Sequence, residues 1–353
     1  MNAPLSTQAT VWPDHFYLID SSRTLEHSLA EDAGRDSMGS KAFNLLRMAQ
    51  AGLPVPAALV VGTYFAHHRK QYQTPLREIG LPALEQATGL KLGDPRKPLI
   101  VSVRSGAPVS MPGMMETLLN IGLCDATVPG LLRQTGNPRL VWDAYRRLVA
   151  SYGEVVEGLP AALFENELQR VTQGRDERQL DFSELRELTQ SFLLLYQQHA
   201  GHAFPQDVHT QLLQAVQAVF ASWEADKARE YRRLNGIDAA MGTAVTIQRM
   251  VFGNAGGRSG AGVGFTRNPS TGEPLLWIDF LANAQGEDVV SGRRNAHGHE
   301  VMADLLPEAW QALEQATDAL EDIFADMQDF EFTVEEGELH LLQARSGKRT
   351  PLA

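Results

Sequence analysis

Apolar side chains recur along this chain at two different periods, and the change of period divides it. From Ser40 to Ala51, SKAFNLLRMAQA spaces its apolar residues three and four apart, as an amphipathic helix does. Gly52 stands where a left-handed cap would close that helix, and Pro54 and Pro56 prevent resumption. Ala58 to Val61 reads as a strand and Phe65 to Gly93 as helix. Pro98 to Val103 (PLIVSV) reads as a short buried strand. From Val128 to His202 the pattern is nearly all helical, clearest over 140–149 and 185–196. A further helix fits Val208 to Asn235, with Leu212, Val216, Val219 and Trp223 on one face and Asn235-Gly236 as its end.

After Gly242 the alternation becomes strand-like. Thr243 to Val251, a glycine-dense loop from Gly253 to Gly262, and Val263 to Asn268 read as a strand–loop–strand unit. Pro307 to Met327 predicts a helix with proline at its first position, where no amide partner is lost. The end predicts a hairpin, Phe330–Val334 and Leu339–Arg345, turned by Glu335-Glu-Gly-Glu338. The expected fold class is α+β: two lobes around a cleft, with a helical insert. The boundaries expected are an arm over 1–13, a first lobe over 14–123 and 207–242, an insert over 124–206, and a second lobe over 243–353.

Composition changes this picture little. Hydrophobic residues make up 43% and charged residues 21% of 353, so the chain reads as globular and long enough for two or three subdomains. The net charge of -12 argues against a broad nucleic-acid surface but leaves room for a locally basic cleft. Cys124 is the only cysteine, so no internal disulfide is expected. The start, MNAPLSTQAT, has no signal-peptide pattern, and no apolar run suits a membrane span. A cytoplasmic protein is expected, with neither nucleic acid nor membrane as partner.

Four segments could carry chemistry. In VSVRSGAPVSMPGMMET (101–117) a buried strand delivers Arg104 and then small residues whose bare backbone could approach a phosphate. A plain strand-to-loop turn is the alternative, and no Walker A motif is present. Lys41 follows Gly39-Ser40 at a helix start, where a lysine opposes the helix dipole unless a phosphate is held there. In the hairpin, Asp329, Glu331 and Thr333 should share one face, and Leu339, Leu341, Gln343 and Arg345 another. Two carboxylates, an amide and a guanidinium would suit Mg²⁺ with a polyphosphate, or else form an ordinary solvated face. The Gly253–Gly262 loop lacks dinucleotide-binding spacing and reads as either a mobile lid or a flexible loop. His199, His202, His297 and His299 lack zinc-site spacing and read as surface residues.

Long ordered stretches of the sequence resemble the nucleotide-binding part of the pyruvate phosphate dikinase family. They are GSKAFNLLRMAQAGLPVPAALVV, VSVRSGAPVSMPGMMETLLNIGL, FPQDV with SWEADKAREYRRLNGI, GTAVTIQRMVFGN, SGAGVGFTRNPSTGE, NAQGEDVVSG and MQDFEFTVEEGELHLLQARSGKRT, spread from about 16 to 349. The resemblance implies an ATP-grasp fold holding ATP and Mg²⁺. It implies a half-reaction in which ATP and phosphate phosphorylate a carrier histidine, releasing AMP and pyrophosphate. By motif it assigns Lys41, Arg104 and Arg345 to the phosphates and Gly113, Met115 and Thr117 to a phosphate loop. Gln248, Met250 and Val251 would border the adenine, and Asp329, Glu331 and Gln343 would hold metal and triphosphate.

Three departures accompany the resemblance. Met38-Gly39-Ser40 replaces the family's paired glycines, Asp279 stands where a glutamate is usual, and GRRNAHGH replaces a proline-containing stretch. No carrier-histidine motif lies within the sequence, so the expected partner is a separate phosphohistidine-carrier protein or domain. Direct phosphorylation of a small molecule and a silent nucleotide-binding module are the other readings left open.

Overall fold

A computed structural model describes residues 12–22, 32–286, 289 and 298–351. Five strands form one antiparallel sheet: β1 (Phe16–Ile19), β2 (Ala58–Val61), β3 (Val101–Gly106), β4 (Thr117–Ile121) and β5 (Ala244–Arg249), in the order β1-β2-β5-β3-β4. Four more form a second: β6 (Gly260–Phe265), β7 (Trp277–Ala282), β8 (Gln328–Glu335) and β9 (Glu338–Ser346), in the order β7-β6-β8-β9. Every pairing is antiparallel, as an α+β architecture requires.

Alternation along the first sheet supplies two cores. Leu59, Val61, Val101, Val103, Val245 and Ile247 face the helices Val128–Thr135, Pro138–Glu157, Phe182–Ala200 and Val208–Ser222. Tyr17, Ile19, Ala58 and Val60 face the other way, onto the helix Ser40–Gln50. That helix also buries Leu45, Leu46, Met48 and Ala49 in the cluster formed by Phe330, Phe332, Leu339 and Leu341 of the second sheet and Leu313 and Leu320 of the helix Pro307–Phe324. Asn44 Nδ2 donates to the Ala344 carbonyl at 2.8 Å, Arg47 donates to the Ile323 carbonyl, and Leu341 N donates to the Pro54 carbonyl at 2.8 Å. One helix therefore joins both sheets.

Several expectations change. The stretch 243–268 does hold two strands joined by a loop, but they do not pair with each other: β5 lies between β2 and β3 while β6 belongs to the second sheet. The passage between sheets falls at 250–259, so a second lobe beginning at 243 would remove β5 from its own sheet. The glycine-dense segment is also not all loop. A Cβ at Gly260, Gly262 or Gly264 would come within 2.4, 2.4 and 2.7 Å of the Phe280, Phe332 and Phe330 rings, so these glycines let aromatic rings lie across β6. The helix expected over 65–93 is broken into a 3₁₀ turn (Thr63–Ala66) and later turns leading to Leu81–Thr88, with Pro75 and Pro82 removing donors. The helix expected over 208–235 stops at Ser222 and resumes over Asp226–Asn235, turning around buried Trp223, over which the Arg232 guanidinium lies at 4.1 Å. Residues 1–11 of the expected arm lie outside the described residues, as does His297. Among the described residues no helix is long and apolar enough to cross a membrane.

The start of the Ser40–Gln50 helix is fixed against β3. Ser40 N donates to the Ala107 carbonyl at 3.0 Å. Gly39 has φ 79 and ψ 153, a backbone region essentially confined to glycine. A Cβ there would meet the Gly106 carbonyl oxygen at 2.0 Å. Gly39→Ala should lower unfolding free energy by at least about 3 kcal/mol, combining backbone strain with a clash against rigid backbone. Gly89→Ala, with φ 65 but open space around it, should cost only about 1–2 kcal/mol. Urea unfolding of both variants measures the difference.

His340 of β9 is largely buried, and that burial, aided by the Arg249 guanidinium and opposed by Glu338, lowers its pKa to about 4. Between pH ~6.5 and ~4 the unfolded chain takes up a proton that the folded chain refuses. Stability should therefore fall on acidification through this window, by up to roughly 3 kcal/mol from this group. Urea unfolding at stepped pH should show His340→Gln losing that part of the slope.

Candidate functional site

A cavity of about 620 Å³ opens between the two sheets. The first sheet contributes Ser102 and Arg104 of β3, Thr117, Leu119 and Asn120 of β4, and Gln248 and Arg249 of β5. Met250 and Val251 follow at the passage between sheets. Lys41 enters from the first turn of the Ser40–Gln50 helix, and Glu331, Thr333, Leu342 and Gln343 from the β8–β9 hairpin.

The hairpin reaches the cavity through an irregularity. Its turn is Glu336-Gly337, both at positive φ, which suits a two-residue hairpin loop. The register pairs Asp329 with Arg345 and Glu331 with Gln343, then slips so that Phe332 pairs with Leu341. Leu342 is the extra residue of this bulge. The bulge corrects the expectation that Leu339, Leu341, Gln343 and Arg345 share a face. Leu339 and Leu341 join the core, whereas Gln343 and Arg345 join the face of Asp329 and Glu331. Gln343 Nε2 then lies 3.4 Å from Glu331 Oε1.

Charge is arranged to receive an anion. Arg104 Nε is buried and has no hydrogen-bond partner among the described residues. Lys41 opens onto the cleft but is ringed by protein. Desolvation first, then repulsion from Arg104 and Arg345, hold its pKa below the ordinary lysine value, with Glu331 opposing. These two cations suit phosphate oxygens. Glu331 and Gln343 offer neighbouring oxygens of the kind a Mg²⁺–polyphosphate takes, the remaining ligands coming from phosphates and water. Among the described residues no three His, Cys, Asp or Glu side chains converge on a metal position, so a cation here would depend on the phosphates.

Of the twelve residues that the resemblance assigns to the site, eight line one cavity: Lys41, Arg104, Thr117, Gln248, Met250, Val251, Glu331 and Gln343. Four do not. Asp329 and Arg345 sit two pairs further along the hairpin and bind each other, Arg345 Nε to Asp329 Oδ2 at 2.8 Å. Gly113 and Met115 lie in the β3–β4 connection, where Met111 is buried in a cluster with Trp223 and Met114 and Met115 pack against it partly buried. Asp279 pairs with Val263, as Glu331 does from the other side, so it lies two strands from Glu331 on the same face and outside the cavity lining.

Sequence reasoning missed the wall supplied by the Pro138–Glu157 helix: Asp143, Ala144 and Arg147. Asp143 is held by Arg146 at 2.6 Å and Arg147 at 3.0 Å. Burial raises its pKa, but Arg146, Arg147 and Arg139 outweigh burial and hold it below the usual carboxylate range. An acidic residue beside Leu140, Ala144 and Tyr145 on a helix's apolar face was the available signal. The 250–259 passage is pinned rather than free. Phe252 N donates to Glu335 at 2.8 Å, Ala284 N donates to the Gly253 carbonyl at 2.9 Å, and Asn137 Nδ2 donates to the Asn254 and Ala255 carbonyls. Through Met250, Val251 and Asn254 this passage forms part of the cavity wall. His202 lies 3.5 Å from Glu157, and His299 stacks on Trp310.

Comparison with known proteins agrees with this geometry. Residues 80–307 match the family described as pyruvate phosphate dikinase, AMP/ATP-binding domain. The chain is 46% identical over 323 residues to a chloroplastic pyruvate, phosphate dikinase of Mesembryanthemum crystallinum, covering 89% of this chain and 34% of that protein. It is 43% identical over 327 residues to the pyruvate, phosphate dikinase of Clostridium symbiosum, covering 90% and 37% respectively. The chain thus spans about a third of the length of these relatives. A cleft with paired cations on one sheet and an acid–amide pair on the other, within a sequence this similar, places the chain in the AMP/ATP-binding domain family of pyruvate phosphate dikinase.

Proposed function

We propose that this chain binds Mg²⁺–ATP in the cleft between its sheets and, with phosphate, transfers a phosphoryl group to a carrier histidine on a separate domain or protein, releasing AMP and pyrophosphate. The observation that carries this reading is the meeting of Lys41 and Arg104 with Glu331 and Gln343 around one cavity. The names of the relatives support the dikinase chemistry, and the family description supports the nucleotide.

ATP, when bound, supplies the phosphoryl group, and Mg²⁺ neutralises part of its charge. The protein's share is positioning and electrostatics. Lys41 and Arg104 donate N–H groups toward phosphate oxygens. Glu331 and Gln343 present oxygens to the cation. Met250, Val251 and Leu342 exclude water from the other part of the cleft. Asp329 and Arg345 would join the phosphates only by separating from each other. Gly113 and Met115 belong to the β3–β4 connection that would close over the phosphates, and Thr117, where β4 begins, is already at the cavity.

The test is to incubate the chain with ATP, Mg²⁺ and phosphate, with and without a histidine-carrier domain taken from a full-length relative. Carrier-dependent release of AMP and pyrophosphate is expected. ADP formation with a small acceptor, or binding without any turnover, would replace this reading with one of its two alternatives.

Lys41 gives a second test. Lys41→Met should weaken ATP binding roughly 10- to 100-fold, the loss of one charge-assisted hydrogen bond. Because the lysine's pKa is lowered, its ammonium is lost at a lower pH than usual. ATP affinity should therefore decline on the alkaline side earlier than for an ordinary lysine, with proton uptake on binding there. Titration calorimetry in buffers of different ionisation enthalpy measures both, and Lys41→Met should show neither.

A further inference from the structure

The cavity floor contains a polar row that the charged groups do not explain. Ser102 of β3 pairs with Gln248 of β5. Between β3 and β4, Arg104 pairs with Thr117 and Val103 with Leu118, and the ladder then slips so that Val101 pairs with Ile121. Two residues of β4, Leu119 and Asn120, therefore oppose one of β3, Ser102. This is a bulge, and bulges re-aim side chains. In a regular strand neighbouring residues point to opposite faces, yet Leu119 and Asn120 both line the cavity.

Asn120 is the strained member, at φ 63. Among the described non-glycine residues with positive φ, it alone lines this cavity. It is 5% exposed, and its Oδ1 is buried without a hydrogen-bond partner. Backbone strain and an unpaired buried acceptor are both unfavourable, and both coincide at one cavity residue. The row lies about two residues, or ~7 Å, along the strands from the Arg104–Thr117 level. It lies toward Met250, beneath the part of a nucleotide beyond its phosphates. Ionised phosphate oxygens only accept hydrogen bonds, so they cannot satisfy an acceptor. A nucleoside carries donors.

We propose that Asn120 is a specificity-determining residue of this cavity: its amide turns toward the bound nucleoside, and Oδ1 then accepts a hydrogen bond from a donor there, either the exocyclic amine of adenine or a ribose hydroxyl. This deepens the nucleotide-binding reading above and rests on it.

The test is calorimetric titration of the full chain with ATP, purine riboside triphosphate, 2′-deoxy-ATP and 3′-deoxy-ATP. One analogue should bind the unsubstituted chain about tenfold more weakly than ATP, the effect of one lost hydrogen bond to a buried acceptor. The analogue affected names the donor. Asn120→Gly keeps the backbone conformation and removes the acceptor, so that analogue should then bind as well as ATP does. Asn120→Asp keeps an acceptor oxygen and tolerates positive φ, so it should retain the discrimination even if its added charge weakens every nucleotide equally. If affinity ratios among the four nucleotides are the same for the unsubstituted chain and Asn120→Gly, Asn120 has no reading role and the inference falls alone. If the unsubstituted chain binds none of them, the nucleotide reading falls and takes the inference with it.

Discussion

The contact between Gly39 and Gly106 governs the geometry of this molecule. Two backbones meet there at a separation that leaves no room for a Cβ. Ser40 completes the junction through the Ala107 carbonyl. The helix that starts at this point carries Lys41 beside Arg104, because β3 supplies the arginine and leads directly to the docking carbonyl of Ala107. The far side of the same helix is a core surface for the second sheet. The position of Lys41 at the cavity and the inter-sheet packing are thus two consequences of one helix placement.

The second sheet faces an opposite requirement. Its inner face must bury Phe330, Phe332, Leu339 and Leu341, while the same hairpin must show Glu331 and Gln343 to the cleft. A regular β9 would put residues 339, 341, 343 and 345 on one face. The extra residue Leu342 reverses the alternation midway, so the apolar end enters the core and the polar end meets Glu331. A second bulge in β4 does the corresponding work for Asn120. Both irregularities lie at the cavity.

The net charge of -12 belongs to the whole chain and not to the cleft. The cavity lining holds Lys41, Arg104, Arg147 and Arg249 against Asp143 and Glu331, four cations to two carboxylates. Arg147 is neutralised by Asp143, whereas Arg104 Nε has no partner among the described residues. An acidic exterior around a cationic cleft suits an anionic small molecule better than a polyanion spread over a surface.

The residues that sequence alone could identify were those whose type fits the chemistry at a recognisable motif. Lys41, Arg104, Glu331 and Gln343 were legible because a strand end, a helix start and a hairpin have local signatures. The glycine-dense segment misled, because its glycines admit Phe280, Phe330 and Phe332, and that reason lies on other strands. β5 was read as a strand but placed with the second lobe, whereas it pairs with β2 and β3, since pairing partners are set by burial across long sequence separations. Period therefore determined most of the helices and strands, and the motif resemblance, rather than composition or spacing, singled out the residues expected at phosphate. Which of those residues meet, which faces the bulges reverse, and that Asn120 and Asp143 enter the cavity were decided only by tertiary packing, because each depends on a surface contributed by a distant part of the chain.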